Sequence, residues 1–402
     1  MENVTESRLF PWKMLVFLFF IQLVIAFVAR SLAPLGAVIG QDLNLTMFQI
    51  GLFPAALFLG QSLVSIPSGI LTDKIGSRNM LVIISLLLSI TFYLIALSSS
   101  FLMIFILIIF AGFAYGSSHP STNKGVNSWF DLKKRGTAMG IKQMGVTMGS
   151  ASAALLLLPL ATSIGWPGAL SVAASILLIF GIIFYFKYQE PEKLNTIKKT
   201  EIESNPLNIF LHRKLILITI SAMLLSGSQA VLNTFIVLYA FESLSLSLIL
   251  AGILLGIAEF GGAVGRLGWG WLSDNLFSGR RLIVLLIISV LVAVQSIITS
   301  LMPVGTPFYL TCIIIFIFGL GASGFNGIWM NATSEIVPSS LSGTATGVSI
   351  TFSSWGAILF PPLFGIIRDY TGSYFWGWWL IVLLMIISTL ALLIAVKSKN
   401  KY

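Results

Sequence analysis

GILTDKIGSR, residues 69–78, sets an aspartate, a lysine and an arginine into a chain that is 57% hydrophobic and only 9% charged, with 30 phenylalanines among 402 residues. A soluble fold of that composition would lack the polar surface to cover itself, so the chain reads as a membrane protein with many spans. The charged stretch is then a loop at the water interface, where ionised groups cost little. Working outward from it, a bilayer core about 30 Å thick needs roughly 20 apolar residues per helix. Twelve such segments are predicted, at about 12–39, 47–72, 79–98, 102–128, 136–162, 166–187, 214–240, 248–272, 281–301, 307–333, 343–367 and 374–396. The first is too long for a signal-peptide core and contains Arg30, so it reads as a retained span.

Lysine and arginine set the orientation. With the N-terminus inside, 18 of the 23 basic residues fall in cytoplasmic segments and one, Arg368, falls outside; the other four lie within helices. That asymmetry predicts a multi-pass protein of the cytoplasmic (inner) membrane with both termini cytoplasmic. The net charge of +9 is therefore a rim beside anionic lipid, not a nucleic-acid surface. One cysteine, Cys312, and two histidines offer no disulfide and no metal site, and no cofactor is expected. The helices contain no paired carboxylates and no Ser/His/Asp set, so an enzyme is not expected. Without a G-x-x-x-x-G-K-[ST] loop, ATP hydrolysis cannot drive the protein.

The stretch recurs. GWLSDNLFSGR, residues 270–280, joins the second helix of the second half to the third, as GILTDKIGSR does in the first. Gly136, Thr137, Ala138, Gly140 and Gly149 match Gly343, Thr344, Ala345, Gly347 and Gly356 at a constant offset of 207. The expected fold is all-α: two pseudo-symmetric six-helix bundles, 1–187 and 214–402, joined by a cytoplasmic linker at 188–213. Parallel repeats of this kind in transporters hold substrate near the midplane.

The pattern G-x-L-x-D-K-x-G-x-R after helix 2, repeated after helix 8, resembles the signature loop of the major facilitator superfamily, and the twelve-helix layout extends the resemblance over the whole chain. It implies that Gly69, Asp73, Lys74, Gly76 and Arg78, with Asp274 and Arg280 in the second copy, form a conformational latch. NKGVNSWFDLKKRGTAMGIKQMG, 123–145, is similar to the helix 4 to helix 5 junction of the organic-anion branches of that superfamily, the anion:cation symporters and oxalate/formate carriers. GRLGWGWLSD, 265–274, is similar to the helix 8 segment whose arginine meets the substrate carboxylate in oxalate/formate and monocarboxylate carriers. The chain departs from the anion:cation symporters in helix 4, where Ile108 and Tyr115 stand in place of an arginine and a glutamate, so their proton-coupling scheme does not carry over directly.

The buried charges point the same way. Ionisable groups in spans are expensive and face a bundle interior or an aqueous cavity. Arg30, Lys124, Lys142 and Arg266 outnumber Glu259, the single acid within a span, and an anionic substrate would supply the missing negative charge. Arginine suits a carboxylate because its planar fork donates two parallel bonds and keeps its charge when dehydrated. Each candidate has a structural alternative. Arg30 could sit in a polar network, Arg266 could snorkel or brace the Asp274 loop, and Lys124 and Lys142 could anchor at the interface. His119, before Pro120 and on one face with Asn123, either lines a cavity or bonds a carbonyl freed by the proline. Glu259 lies two turns before Arg266 and reads as a proton carrier or as one half of a permanent charge pair. Gln229, Asn233, Asn326 and Trp329 complete a candidate lining, or else link helices.

A monoanion entering against 100 mV, negative inside, works against about 2.3 kcal/mol, so uptake needs a co-transported proton or cation. The expected function is a proton-coupled symporter of a small organic anion, a carboxylate or sugar acid, acting as a monomer by alternating access. Arg30, Arg266, His119, Asn123, Lys124, Gln229, Asn233, Asn326 and Trp329 would bind the substrate, and Glu259 or His119 would carry the proton. The alternatives are a proton-driven multidrug or metabolite exporter on the same fold and a non-transporting membrane sensor.

Overall fold

The structure, a computed structural model, describes residues 2–191, 212–337 and 342–398. Most of the linker expected at 188–213 therefore lies outside the described residues. The order is α1 (Glu2–Ala29), α2 (Leu32–Asp42), α3 (Met47–Ile75), α4 (Ser77–Ala96), α5 (Phe101–Trp129), α6 (Leu132–Lys187), α7 (Arg213–Glu242), α8 (Leu248–Asn275), α9 (Arg281–Ser300), α10 (Phe308–Ala322), α11 (Asn326–Glu335), α12 (Ser342–Thr371) and α13 (Tyr374–Lys397). Eleven helical stretches among the described residues are long and apolar enough to cross a membrane. The longest, α6, breaks at Gly165, whose φ of 76° ends one helix before Pro167 opens the next, and so supplies the two spans expected at 136–162 and 166–187.

Two spans expected to be continuous are interrupted. The first divides at Arg30 and Ser31, between α1 and α2. Pro34 explains the break: it has no N–H to give the carbonyl four residues back, and its ring crowds that carbonyl. The carbonyl belongs to Arg30, and it accepts instead from Ala33 N at 3.3 Å. The tenth span divides between α10 and α11 at Ser323, Gly324 and Phe325.

The chain forms two compact units, Met1–Leu43 with Ala56–Ile197, and Asn44–Ala55 with Lys198–Tyr402. Within the first, α1 packs on α6, and α4 packs on α5 and α6; within the second, α7 packs on α12, α8 on α10 and α9 on α13. Helix pairs one and five, and three and six, of each half are thus matched, as the sequence repeat requires. Residues 44–55 group with the second unit although the rest of α3 belongs to the first. There both carboxylate oxygens of Asp369, at the end of α12, accept from the first N–H groups of α3, Met47 at 2.9 Å and Phe48 at 2.8 Å. A carboxylate is well suited to these donors, which have no partner within their own helix.

The surface is that of a protein in lipid. Leucine, isoleucine and phenylalanine face outward along the spans, as at Leu97, Phe110, Leu156, Phe186 and Leu310, while serines and threonines are buried. Ser388 shares hydrogen bonds with Ser221 at 2.6 Å and Ser289 at 2.9 Å, tying α13 to α7 and α9. Tyr93 and Ser175 tie α4 to α6 at 2.5 Å. Since lipid is as apolar as leucine, such bonds and close backbone packing hold the bundles, not hydrophobic expulsion from water. Gly60 of α3 and Gly112 of α5 are packed backbone to backbone, as are Gly227 of α7 and Gly356 of α12. Gly136, Gly140 and Gly347 have open space where a side chain would project.

A valine at Gly112 would strike the main chain of α3, and overpacking of this kind costs about 1–3 kcal/mol. Gly112→Val is expected to lower the thermal unfolding midpoint of the detergent-solubilised protein by several degrees, whereas Gly140→Val leaves it unchanged. Equal midpoints for the two would refute the packing assignment.

Candidate functional site

In the first unit the candidate residues collect on α5 and at the break in the first span. α5 carries Tyr115, His119, Thr122 and Asn123 at helical spacings that put them on one face. Arg30 is half-buried, and its Nε donates to the hydroxyl of Tyr115 at 3.1 Å. The Tyr115 ring stands edge-on to His119, with centroids 5.8 Å apart. Around Pro120, where the helix ladder is interrupted, hydroxyls supply donors to local carbonyls: Ser118 to Tyr115 O at 2.7 Å and Ser121 to Ser117 O at 2.7 Å.

Further along that face, Thr122 donates to Gln22 Oε1 of α1 at 3.0 Å. Lys142 of α6 is 2% exposed, and its ammonium donates to Asn123 Oδ1 at 2.7 Å and Thr122 Oγ1 at 3.3 Å. The structure therefore puts Lys142 in the interior with Asn123, not at the interface where its proximity to a span end had suggested an anchor. Lys124 goes elsewhere. Its ammonium donates to the carbonyl of Thr72 at 2.8 Å and pairs with Asp73 at 3.5 Å, so it belongs to the loop cluster and not to the face that holds Arg30.

In the second unit the residues collect at the break between α10 and α11. The carbonyl of Ser323, released from the helix ladder, accepts from Arg266 Nε at 3.2 Å and from Asn326 Nδ2 at 3.4 Å. Trp269, one turn beyond Arg266, donates to Leu320 O at 2.8 Å and fixes the same end of α8 against α10. Glu259 is fully buried and accepts from Asn233 Nδ2 of α7 at 2.6 Å; it lies about 10 Å along α8 from Arg266. Trp329 donates to Ser349 Oγ at 2.9 Å, and Ser349 also accepts from Thr219 at 2.9 Å, so this indole joins α11 to α12 and α7.

Gln229 Nε2, Asn233 Oδ1 and Ser323 Oγ are among the buried polar atoms with no hydrogen-bond partner among the described residues. A buried polar atom without a partner is uncommon in a folded interior. An apolar hollow of about 530 Å³ also exists at the loop after α9, lined by Leu301, Met302, Pro303 and Val304, but it has no group that could recognise a charge.

The two signature loops are braced differently. In the first unit the Arg78 side chain donates to Tyr185 O at 2.7 Å and lies 4.4 Å over the Tyr185 ring, and its main-chain N–H donates to Glu190 at 3.0 Å. Gly76 has φ of 90°, and the Glu190 carboxylate occupies the space where its side chain would be. In the second unit Arg281 pairs with Asp274 and with Glu335 at 3.3 Å. The sequence pattern had singled out Arg280, which is exposed; the helical start at Arg281 turns the next residue, not Arg280, toward Asp274. Lys74 is exposed, and Gly69 has open space beside it. Gln22 and Tyr115 were outside the sequence-based set, although an amide alone in the apolar run FFIQLVIAF was a visible signal.

The family model of the Major Facilitator Superfamily matches residues 18–361. The hexuronate transporter of Bacillus subtilis (strain 168) is 24% identical over 385 residues, covering 90% of this chain and 89% of that protein. The probable sulfoacetate transporter SauU of Cupriavidus necator is 23% identical over 371 residues, covering 87% and 86%. Among solved structures, a bacterial homolog to the human lysosomal transporter Spinster has the same fold, with a TM-score of 0.80 over 98% of this chain and 99% of that one at 17% identity. With twelve spans, a duplicated six-helix plan and a family match over most of its length, the chain belongs to the major facilitator superfamily and is a multi-pass membrane transporter, not an enzyme.

Proposed function

We propose that the protein is a secondary active transporter that carries a small organic anion, a carboxylate or sugar acid, by alternating access and with proton co-transport. The observation that carries this reading is the way the two arginines are held. Arg30 Nε donates to the phenol of Tyr115 and Arg266 Nε to the main-chain carbonyl of Ser323. A guanidinium has five N–H donors, and its planar fork suits a carboxylate. The relatives named as a hexuronate transporter and a probable sulfoacetate transporter support an anionic cargo. The orphaned amide and hydroxyl atoms of Gln229, Asn233 and Ser323 suit the hydroxyls of a sugar acid, which both donate and accept.

Glu259 is the proposed proton carrier. It is a buried acid that accepts from Asn233, in the unit that holds Arg266, and arrival of a substrate anion changes the field that acts on its carboxyl. His119 remains the second candidate. The loops at Asp73 and Asp274 act as latches whose ion pairs, Lys124 with Asp73 and Arg281 with Asp274 and Glu335, are remade in each cycle. The basic-residue asymmetry supports a cytoplasmic side for these loops and both termini, and the proposed working unit is a monomer.

Purified protein in proteoliposomes tests the scheme. Uptake of D-glucuronate is expected to follow an imposed inward proton gradient, and Arg30→Gln and Arg266→Gln each raise KM about tenfold or more, the loss of one charged hydrogen-bonded contact. Unchanged affinity in both variants overturns the anion site. Glu259→Gln is expected to abolish gradient-driven accumulation yet preserve exchange of labelled for unlabelled substrate across the membrane; accumulation at the wild-type level overturns its proton role. Ligand-induced stabilisation without any flux would show a sensor, and efflux of cationic dyes indifferent to organic anions would show an exporter.

A further inference from the structure

α7 and α12 run side by side in the second unit, in register and in the same direction: Leu215 packs with Ala345, Thr219 bonds Ser349, and Gly227 meets Gly356. Both helices therefore begin at the same surface of the membrane. Between their first turns lies a cleft of about 220 Å³, lined by Ile216, Ile220, Met223, Val348 and Phe352. Ile216, Ile220 and Phe352 are exposed, and the hydroxyl in the wall, that of Thr219, is given to Ser349 at 2.9 Å. Large apolar side chains left exposed together on a span face hydrocarbon and not water.

The cleft has the depth of one leaflet. From Leu215 to Met223 the helix rises about 12 Å, and half of a hydrocarbon core about 30 Å thick is about 15 Å. A single acyl chain entering where α7 begins would reach the inner end. Apolar walls alone select no occupant, because the surrounding lipid is as apolar as they are. Selection has to come from the mouth. There Arg213, which is exposed, and Lys214 immediately precede Leu215. His212 caps α7 by accepting from Leu215 N at 3.3 Å, and its pKa is lowered by burial and by the positive charge of Lys214, so the field at this end of the helix is positive. Glu335, two residues before the Val337 that packs on Leu215, is paired with Arg281 at 3.3 Å.

We propose that this cleft is a binding site for one anionic phospholipid, with an acyl chain lying against Ile216, Ile220 and Phe352 and the phosphate at Arg213 and Lys214. Cations at the level of the headgroups attract anionic lipid. A zwitterionic headgroup is a poorer match, since its own cation cancels the phosphate. The wall at Thr219 joins Ser349 and, through it, Trp329, so the lipid lies against helices that also carry Gln229, Asn233 and Trp329 of the candidate lining. The site does not depend on which solute the protein carries.

Native mass spectrometry of the delipidated full-length protein in detergent tests this, with dioleoylphosphatidylglycerol as the anionic probe and dioleoylphosphatidylcholine as the zwitterion with the same chains. The first phosphatidylglycerol is expected to bind about tenfold more tightly than the first phosphatidylcholine, and the double variant Arg213→Gln/Lys214→Gln to lose that preference, as for removal of two cations at headgroup level. Arg213→Gln alone, at an exposed position that leaves folding intact, is expected to reduce the preference several-fold. Ile220→Trp, which pushes a larger ring into the cleft from its rim, is expected to weaken phosphatidylglycerol binding several-fold, with Phe352→Trp in its place if that protein is not monodisperse. Equal binding of the two lipids by the wild type, or an undiminished preference in the Arg213 variants, overturns the headgroup assignment. Wild-type affinity in the tryptophan variant overturns the chain assignment. Displacement of phosphatidylglycerol by inorganic phosphate shows a site for free anions and overturns the lipid as its occupant.

Discussion

A main-chain carbonyl that loses its helical partner inside a bilayer has no water to turn to, and must be given a donor by the protein. That constraint governs both places where the chain interrupts a span. At Arg30 the proline at 34 removes the donor and Ala33 supplies a tighter substitute; at Ser323 the donors are the side chains of Arg266 and Asn326. The first interruption holds an arginine itself, and the second presents its released carbonyl to the arginine of α8. Irregular main chain and fixed positive charge occur together because each needs the polar surroundings that the other provides.

The same constraint shapes the rest of the interior. Buried hydroxyls return their protons to carbonyls one turn back, or meet other hydroxyls across helices, as Ser388 does with Ser221 and Ser289. These bonds are short and numerous, but each is modest in energy, as is usual for bonds between spans. Close glycine contacts add backbone dispersion without side chains that would interlock. Bundles built this way keep their shape as units, which is what a carrier that moves by rocking would require of them.

Charge is divided sharply between edge and interior. The loop aspartates pair with Lys124 and Arg281 at the ends of the spans, where solvent screens them and the pairs are easily exchanged. Inside, Lys142 donates to an amide and a hydroxyl, Glu259 accepts from an amide, and the two arginines donate to a phenol and a carbonyl.

The number of spans, their order, the duplication and the membership of the family were legible in the chain alone, because hydropathy summed over some 20 residues is a local property that the bilayer reads directly. The short list of interior charges was legible for the same reason: a single Arg30 or Glu259 in an apolar run has to be accommodated somewhere. Partner choice was not legible. Lys124 and Lys142 lie in similar sequence surroundings near span ends, yet one meets Asp73 and the other is buried with Asn123; Arg281, not Arg280, meets Asp274; Gly112 touches another backbone while Gly140 faces open space. Each of these turns on the rotation of a helix about its own axis, where one residue is worth about 100°, and on which helix lies opposite. Tertiary packing alone decides both, since no local stretch of sequence specifies its neighbour.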